Sequence, residues 1–342
     1  MVNDERVMLA DVGGTHVRFA LADVASAQPL LPETICAYGV ADFATFTEAA
    51  RAYLHETGFR VDRGVFAFAG PVDTDEVRMT NHPWTISCAR VRTDLGFDSL
   101  HFVNDFAAMS LCPILLGTSD TQSIGALGAV RIDASAARTL VVLGPGTGLG
   151  VGALVLRGGH VLGLETEGGH VAFAPRNDKE IDILRYLARR FGRVSNERLL
   201  CGSGLVNLYG ALAEIAGAIA EKCTPEDITR RAASGDALCE RSVELFCEIL
   251  GAFAGDCVLG LGAWDGVYIS GGMTPPLLPW LSRGGFRRRF EDKGRFSARL
   301  GRVPSVAIVH PYAGLLGAAA FAVIDSGRSP LANAATRVGE TS

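Results

Sequence analysis

Short apolar runs separated by glycine-containing turns dominate the first 160 residues. Val7-Met8-Leu9-Ala10 leads into Asp11-Val12-Gly13-Gly14-Thr15, and Val17–Ala22 then resumes the apolar pattern. Uninterrupted runs of this length predict strands buried on both faces, with the glycine pair turning between them. A third strand is expected at Thr34–Val40. Phe43, Phe46, Ala50, Tyr53 and Leu54 recur at helical spacing before Gly58, the pattern of an amphipathic helix with a glycine stop. Val65–Ala69 and Leu100–Val103 read as further buried strands, with a helix over Cys88–Leu95 between them.

The same plan begins again at Leu140–Leu143. That run opens onto Gly144-Pro145-Gly146-Thr147-Gly148-Leu149-Gly150, and Val151–Leu156 returns as the second arm of a hairpin. Asp178 opens a helix whose acidic first turn and terminal Arg189-Arg190 complement the helix dipole. Thr224-Pro225 marks another helix start, a capping threonine followed by proline at the first helical position. Helical patterning runs from Asp236 to about Gly262. Strands follow at Val267–Ser270 and Val306–Val309, and a small-residue helix at Gly314–Val323. Two strand-turn-strand openings, each followed by mixed strands and helices, predict two α/β domains.

Composition narrows the class. A chain of 342 residues exceeds one ordinary core and suits two domains around a cleft. Hydrophobic content of 48% with 20% charged residues is that of a soluble globule, and the net charge of −5 offers no basic footprint for nucleic acid. No apolar run approaches the roughly 18 residues of a membrane span, and the polar Met1–Arg6 does not read as a signal peptide. The eight cysteines, at 36, 88, 112, 201, 223, 239, 247 and 257, form no CxxC pair and have mostly apolar neighbours. They read as reduced core residues of a cytoplasmic protein. The tail from about Ser326 is polar and expected to be loose.

Candidate chemistry gathers at the strand ends. In both glycine loops, backbone N–H groups can approach a phosphate closely, and Thr15 and Thr147 add hydroxyl donors; two ordinary β-turns are the plainer alternative. Neither loop matches GxxxxGK[ST], and the second is not a dinucleotide fingerprint. Asp105 follows a buried strand, where open α/β sheets place their ligands, and a carboxylate there can take a proton from a substrate hydroxyl. Asn104 beside it offers both donor and acceptor to a polyol. The alternative is that Asp105 merely caps a helix starting near Phe106. In Glu167-Gly168-Gly169-His170, the two glycines let a carboxylate and an imidazole crowd one polar ligand, or else form a simple tight turn. Asp11 suits a Mg²⁺ contact through water, or the turn N–H groups of its own loop. The basic run Arg283, Arg287, Arg288, Arg289, Lys293 and Arg295 reads as a solvated face.

Taken together and in order, these segments resemble the bacterial glucokinase family of the hexokinase–actin-like superfamily. The matching stretches are LADVGGTHVRFAL at the start, MTNHPW at 79–84, FVNDFAA at 102–108 and GPGTGLG at 144–150. They continue with EGGHVAFAP at 167–175, SNERLLCGSGLVNLY at 195–209, ISGGM at 269–273 and FEDKGRF at 290–296. The resemblance implies a two-domain actin-like (ribonuclease H-like) ATPase fold. It implies a small domain over 1–115 completed by a C-terminal helix at 313–327, a large domain over 116–312 and a polar tail at 328–342.

It also implies phosphorylation of glucose at the 6-hydroxyl by ATP with Mg²⁺. Asp105 would be the catalytic base, with Asn104, Glu167, His170 and Glu197 holding the sugar. Asp11, Val12, Gly13, Gly14 and Thr15 would form the first phosphate loop, Gly146, Thr147 and Gly148 the second, and Gly271 and Gly272 would lie along the adenosine. A homodimer is implied as well. His16 departs from the asparagine that relatives often carry. Val171-Ala172-Phe173-Ala174-Pro175 replaces the zinc-binding cysteines of related repressor-type kinases, so no structural zinc is expected. A kinase for another hexose stays open, as does a non-catalytic sugar sensor, although the chain leaves no room before its first strand for a DNA-binding segment.

Overall fold

The computed structural model describes residues 5–70, 72, 75–79, 84–130, 132 and 137–331. Residues 80–83 of the MTNHPW segment and the tail from 332 lie outside the described residues. In chain order the first strands and helices are β1 (Arg6–Val12), β2 (His16–Asp23), β3 (Leu30–Gly39), α1 (Phe46–Thr57), β4 (Arg63–Phe68), β5 (Glu76–Arg78), β6 (Thr85–Ser87), α2 (Cys88–Leu95), β7 (Ser99–Asn104) and α3 (Asp105–Leu111). The middle of the chain forms β8 (Thr121–Ser123), β9 (Arg138–Pro145), β10 (Leu149–Arg157), β11 (His160–Thr166), α4 (Asp178–Phe191), α5 (Gly202–Ile215), α6 (Pro225–Ala233) and α7 (Ala237–Leu261). The last elements are β12 (Gly266–Ile269), α8 (Thr274–Leu281), α9 (Gly285–Glu291), α10 (Ser297–Leu300), β13 (Ser305–Ile308) and α11 (Ala313–Asp325).

Two sheets repeat one topology. The first runs β3-β2-β1-β4-β7, and the second runs β11-β10-β9-β12-β13 with β8 added at its edge. Each begins as an antiparallel three-stranded meander and continues with two strands parallel to its first. A small β5–β6 hairpin stands apart. The apolar runs are explained by burial on both faces. Val7 and Leu9 of β1 face a core shared between the sheets, while Met8, Ala10 and Val12 face an outer core under α1. In β9, Leu140 and Val142 join the shared core, and Val141 and Leu143 join a third core built on α4 to α9.

Helices α3 and α11 fill the space between the sheets. Their close crossing depends on small residues: a Cβ on Gly317 would lie 2.2 Å from the Ala108 carbonyl oxygen. The Thr224 cap was cued in the sequence, whereas Phe43, expected in the first helical pattern, is extended and lies before the α1 cap. Thr45, Ser87, Asn177, Thr224 and Asp236 each accept a backbone N–H as N-caps, and Gly58 closes α1 at φ +68°.

Three expectations need correction. The basic run is not simply a solvated face, because Arg289 is buried against Glu180, while Arg287 and Lys293 are largely covered. Strand β11 and helix α5 stand where the periodicity gave no element. The chain also stays packed beyond Ser326, with Leu331 buried and Arg328 paired to Glu5.

Candidate active site

The end of β7 and the start of α3 are held by Asn104. Its Oδ1 accepts the N–H groups of Phe106 and Ala107 at 2.8 and 2.9 Å, and its Nδ2 donates to the Gly70 carbonyl at 3.0 Å. Asn104 is therefore the N-cap, and Asp105 occupies the first position of the helix. Oδ1 of Asp105 shares the Phe106 N–H at 2.8 Å. Burial pushes the Asp105 carboxyl up to about 7; the charges of Asp11, Glu165 and Glu167 add to the rise, and the Phe106 N–H opposes it. A carboxyl held there exchanges protons readily at neutral pH.

Asp11 ends the buried run of β1. Burial raises its pKa, and Arg18 across the β1–β2 hairpin, 3.7 Å away, pulls it back. The first turn of α11 presses on the same carboxylate, where a Cβ on Gly314 would sit 2.6 Å from Oδ2. Gly13, Gly14 and Thr15 form the turn itself: the Gly13 N–H donates to His16 O at 3.0 Å, and Thr15 O accepts the Val40 N–H at 3.0 Å. The Val12 side chain lies in the outer core, so this residue offers only backbone to the loop.

Glu167 to His170 form a single tight turn laid flat on β10. A Cβ on Gly169 would come within 2.1 Å of Leu149 O, and one on Gly168 within 2.9 Å of Val151, so only glycines allow this approach. The turn brings His170 Nε2 to 3.7 Å from Glu167 Oε2 and His170 Nδ1 to 3.9 Å from Glu197 Oε1. Glu197 arrives from a separate turn, Asn196–Arg198, and its Oε2 accepts the Leu149 N–H at 3.0 Å. The turn therefore gathers a polar cluster, but the Glu167 and His170 side chains are both exposed, as the plainer reading of a tight turn with a solvated Glu and a surface His also has them.

The second glycine loop closes on itself through Gly146 N–H to Gly148 O at 2.9 Å, and Gly146 O accepts the Gly202 N–H at 2.9 Å. Gly271, at φ +90°, lies against it; a Cβ there would meet Pro145 O at 2.6 Å, and Met273 N–H donates to the same oxygen at 3.1 Å. Gly272 N comes within 3.9 Å of where a Gly146 Cβ would stand. The second glycine loop, the Glu167–His170 turn, Glu197 and Gly271-Gly272 therefore converge, while Asp105 is tied electrostatically to Asp11 and Glu167.

Glu165 was missed in the sequence. Gly163 of β11 faces α3, so Glu165 two residues on faces the same way, toward Asp105; strand alternation would have revealed it had β11 been recognised. Among the described residues, no group of three or more His, Cys, Asp or Glu side chains is arranged to hold a metal. The Asp11 carboxylate, at the strand end beside the first glycine loop, does fit Mg²⁺ held through water, since that ion takes most of its ligands from water and substrate phosphates.

The glucokinase family model matches residues 8–324. The chain is 54% identical to a glucokinase of Xanthomonas euvesicatoria pv. vesicatoria (strain 85-10) over 317 residues, covering 93% of this chain and 95% of that one. A glucokinase structure from an Antarctic psychrotroph superposes with a TM-score of 0.82 at 32% identity, covering 93% of this chain and 98% of that one. A ROK family glucokinase from Streptomyces griseus, solved with glucose and AMPPNP, superposes with a TM-score of 0.61 at 18% identity over 92% of this chain and 98% of that one. With its duplicated sheet topology, its paired glycine loops and this extent of likeness, the chain belongs to the glucokinase family.

Proposed function

We propose that this chain is an ATP-dependent glucose kinase in which Asp105 is the general base and Glu167, His170 and Glu197 hold the sugar. The observation that carries the assignment is the environment of Asp105: a carboxyl raised to about 7 at a strand end, beside Asp11 and facing Glu165 and Glu167. As the 6-hydroxyl oxygen attacks the γ-phosphorus, its proton passes to Asp105. The new O–P bond forms while the bond from the γ-phosphorus to the bridging oxygen breaks, and ADP departs. Because such transition states are loose, most of the acceleration comes from alignment and charge stabilisation.

The loop geometry supports a division of labour. Gly146 and Gly13 each spend their N–H inside their own turn, so Thr147 and Gly148 of the second loop, with Gly14 and Thr15 of the first, are the better candidates to meet phosphate. Gly271 and Gly272 border the second loop, and the family resemblance assigns them the adenosine. Three of the four polar positions of Asn104 are already used within the fold, and one N–H is left for a sugar hydroxyl. Asp11, through water, would hold Mg²⁺, which when bound neutralises charge on the transferring phosphoryl group and leaves Asp105 free to take the proton.

On this reading a small domain over 1–115, joined by 313–327, closes on a large domain over 116–312 and limits loss of the phosphoryl group to water. A homodimer is part of the same proposal, and sedimentation of the purified protein tests it. The central experiment is a coupled assay crossing glucose, mannose and fructose with ATP, ADP and polyphosphate. The highest kcat/KM is expected for glucose with ATP; a different best pair would overturn the substrate assignment.

A further inference from the structure

Phe106, the residue after Asp105, is where the first turn of α3 meets the β9–β10 hairpin. Its ring lies over two glycines that are direct cross-strand partners, Gly144 and Gly150. A Cβ on Gly144 would stand 2.0 Å from the ring Cζ, and one on Gly150 would stand 2.0 Å from both Cδ2 and Cε2. Neither glycine has a positive φ, so the backbone conformation does not call for glycine there. The ring does. The contact continues behind it, where a Cβ on Gly152 would meet Phe106 O at 2.9 Å and one on Gly163 would meet Ala107 O at 2.9 Å. At the far side of α3, Ser270 Oγ donates to Met109 Sδ at 3.4 Å, immediately before Gly271-Gly272.

The notch floor is also the base of the turn at Gly146–Gly148. We propose that Phe106 is a positioning residue: seated in the Gly144–Gly150 notch, its ring sets the separation between the Asp105 carboxylate and the phosphate-binding turn. This inference rests on the assignment of Asp105 as base. Near-attack geometry needs reacting atoms about 3–3.5 Å apart, and a 1 Å misplacement costs on the order of 10²-fold in rate. A methyl group at Gly150 forces the ring to move by more than that, and removing the ring lets α3 settle toward the hairpin.

The test compares Phe106→Leu, Phe106→Ala, Gly150→Ala and the Phe106→Ala/Gly150→Ala pair. It measures kcat, both KM values, sugar-independent ATP hydrolysis and melting temperature. Phe106→Ala and Gly150→Ala should each lower kcat by about 10- to 100-fold, with KM for glucose within about threefold of wild type. Phe106→Leu should recover part of the loss, and hydrolysis should rise relative to transfer. The double variant should match Phe106→Ala alone, because the added methyl then has space. Should Phe106→Ala not fold, Phe106→Leu/Gly150→Ala completes the same cycle.

Turnover within about twofold of wild type in the Phe106 variants, or a Gly150→Ala cost equal in both backgrounds, would overturn the inference. Asp105→Asn run alongside separates the two levels. If it is inactive while the Phe106 variants are normal, only the positioning role falls. If it keeps a third of wild-type turnover, the assignment of the base falls, and the inference with it.

Discussion

Glu197 Oε2 accepts the Leu149 N–H at 3.0 Å, while its other oxygen lies 3.9 Å from His170 Nδ1. One carboxylate thus ties the second glycine loop to the polar turn proposed to hold the sugar. Gly148 yields to it, since a Cβ there would sit 2.7 Å from the same oxygen. The sugar and phosphate contacts proposed above would therefore share a support.

Substitution at Glu197 should separate these two duties. In Glu197→Gln the amide oxygen can still accept from Leu149, so the loop should hold and the loss should fall on sugar binding. Hydrogen bonds to charged groups contribute about 1.5–3 kcal/mol, so KM for glucose should rise by roughly 10- to 100-fold with KM for ATP little changed. In Glu197→Ala the Leu149 N–H loses its partner, and KM for ATP should rise as well. Steady-state titration of both substrates in both variants checks the split; equal ATP constants in the two would detach Glu197 from the loop.

Asp105→Asn should leave sugar affinity nearly intact and lower kcat by about 10²–10⁴-fold, the usual range for a general base. The wild-type kcat/KM should climb as pH rises through about 7, because only the ionised carboxylate accepts the proton. Stability moves the opposite way. The folded-state pKa lies above the ordinary carboxylate value, so the native state holds its proton between roughly pH 4 and 7 while the unfolded chain has lost it. The favourable contribution of the neutral acid is complete at low pH and disappears as pH rises through about 7. Asp105→Asn should therefore melt higher than wild type at pH 8, and the gap should close toward pH 4. Calorimetry across that range showing a constant difference would contradict a carboxyl strained by ionisation.

What the sequence made visible and what it hid divide along physical lines. Asp11, Asp105 and the glycine loops were legible because each follows a recognisable apolar strand, and the Glu167–His170 turn because a glycine pair stands between its two polar residues. The capping role of Asn104 was hidden by its neighbour, since either residue type serves at an N-cap and only geometry decides. Gly144, Gly150, Gly152 and Gly163 read as turn or strand glycines; their purpose is to admit α3, which lies tens of residues away in sequence. Strand β11 escaped notice because His160–Thr166 is an edge strand with Leu162 and Glu165 exposed, and it shows no buried alternation. Arg289 looked like one more surface charge because a buried cation is recognisable only beside its partner.

That partner is Glu180, in the first turn of α4. Arg289 reaches it at 2.5 and 3.2 Å, with both side chains almost wholly buried. Burial works to raise the Glu180 carboxyl, but Arg289, the Arg176 N–H and Asn177 outweigh it and hold it below the usual range. Arg289→Ala should lower stability by about 3–5 kcal/mol, because it strands a buried charge. Replacing both, as Glu180→Leu with Arg289→Met, should recover much of that loss. Urea denaturation of the three variants checks this, and KM for either substrate should stay unchanged in all that fold.

Chelation distinguishes a metal that serves the reaction from one that holds the fold. Transfer should stop with EDTA, because the nucleotide phosphates need Mg²⁺, and should return when Mg²⁺ is restored. Melting of the ligand-free protein should not move. A structural zinc would behave otherwise: it contributes folding free energy outright, so its removal would lower the melting temperature. The residues argue for the first outcome. Val171 to Pro175 follow His170 with no cysteine, and the described side chains form no metal cluster. Cys112, Cys247 and Cys257 have their thiols pushed up by burial, which disfavours the thiolate that zinc requires. Elemental analysis finding one zinc per chain, together with unfolding on chelation, would place a metal site where this reading has none.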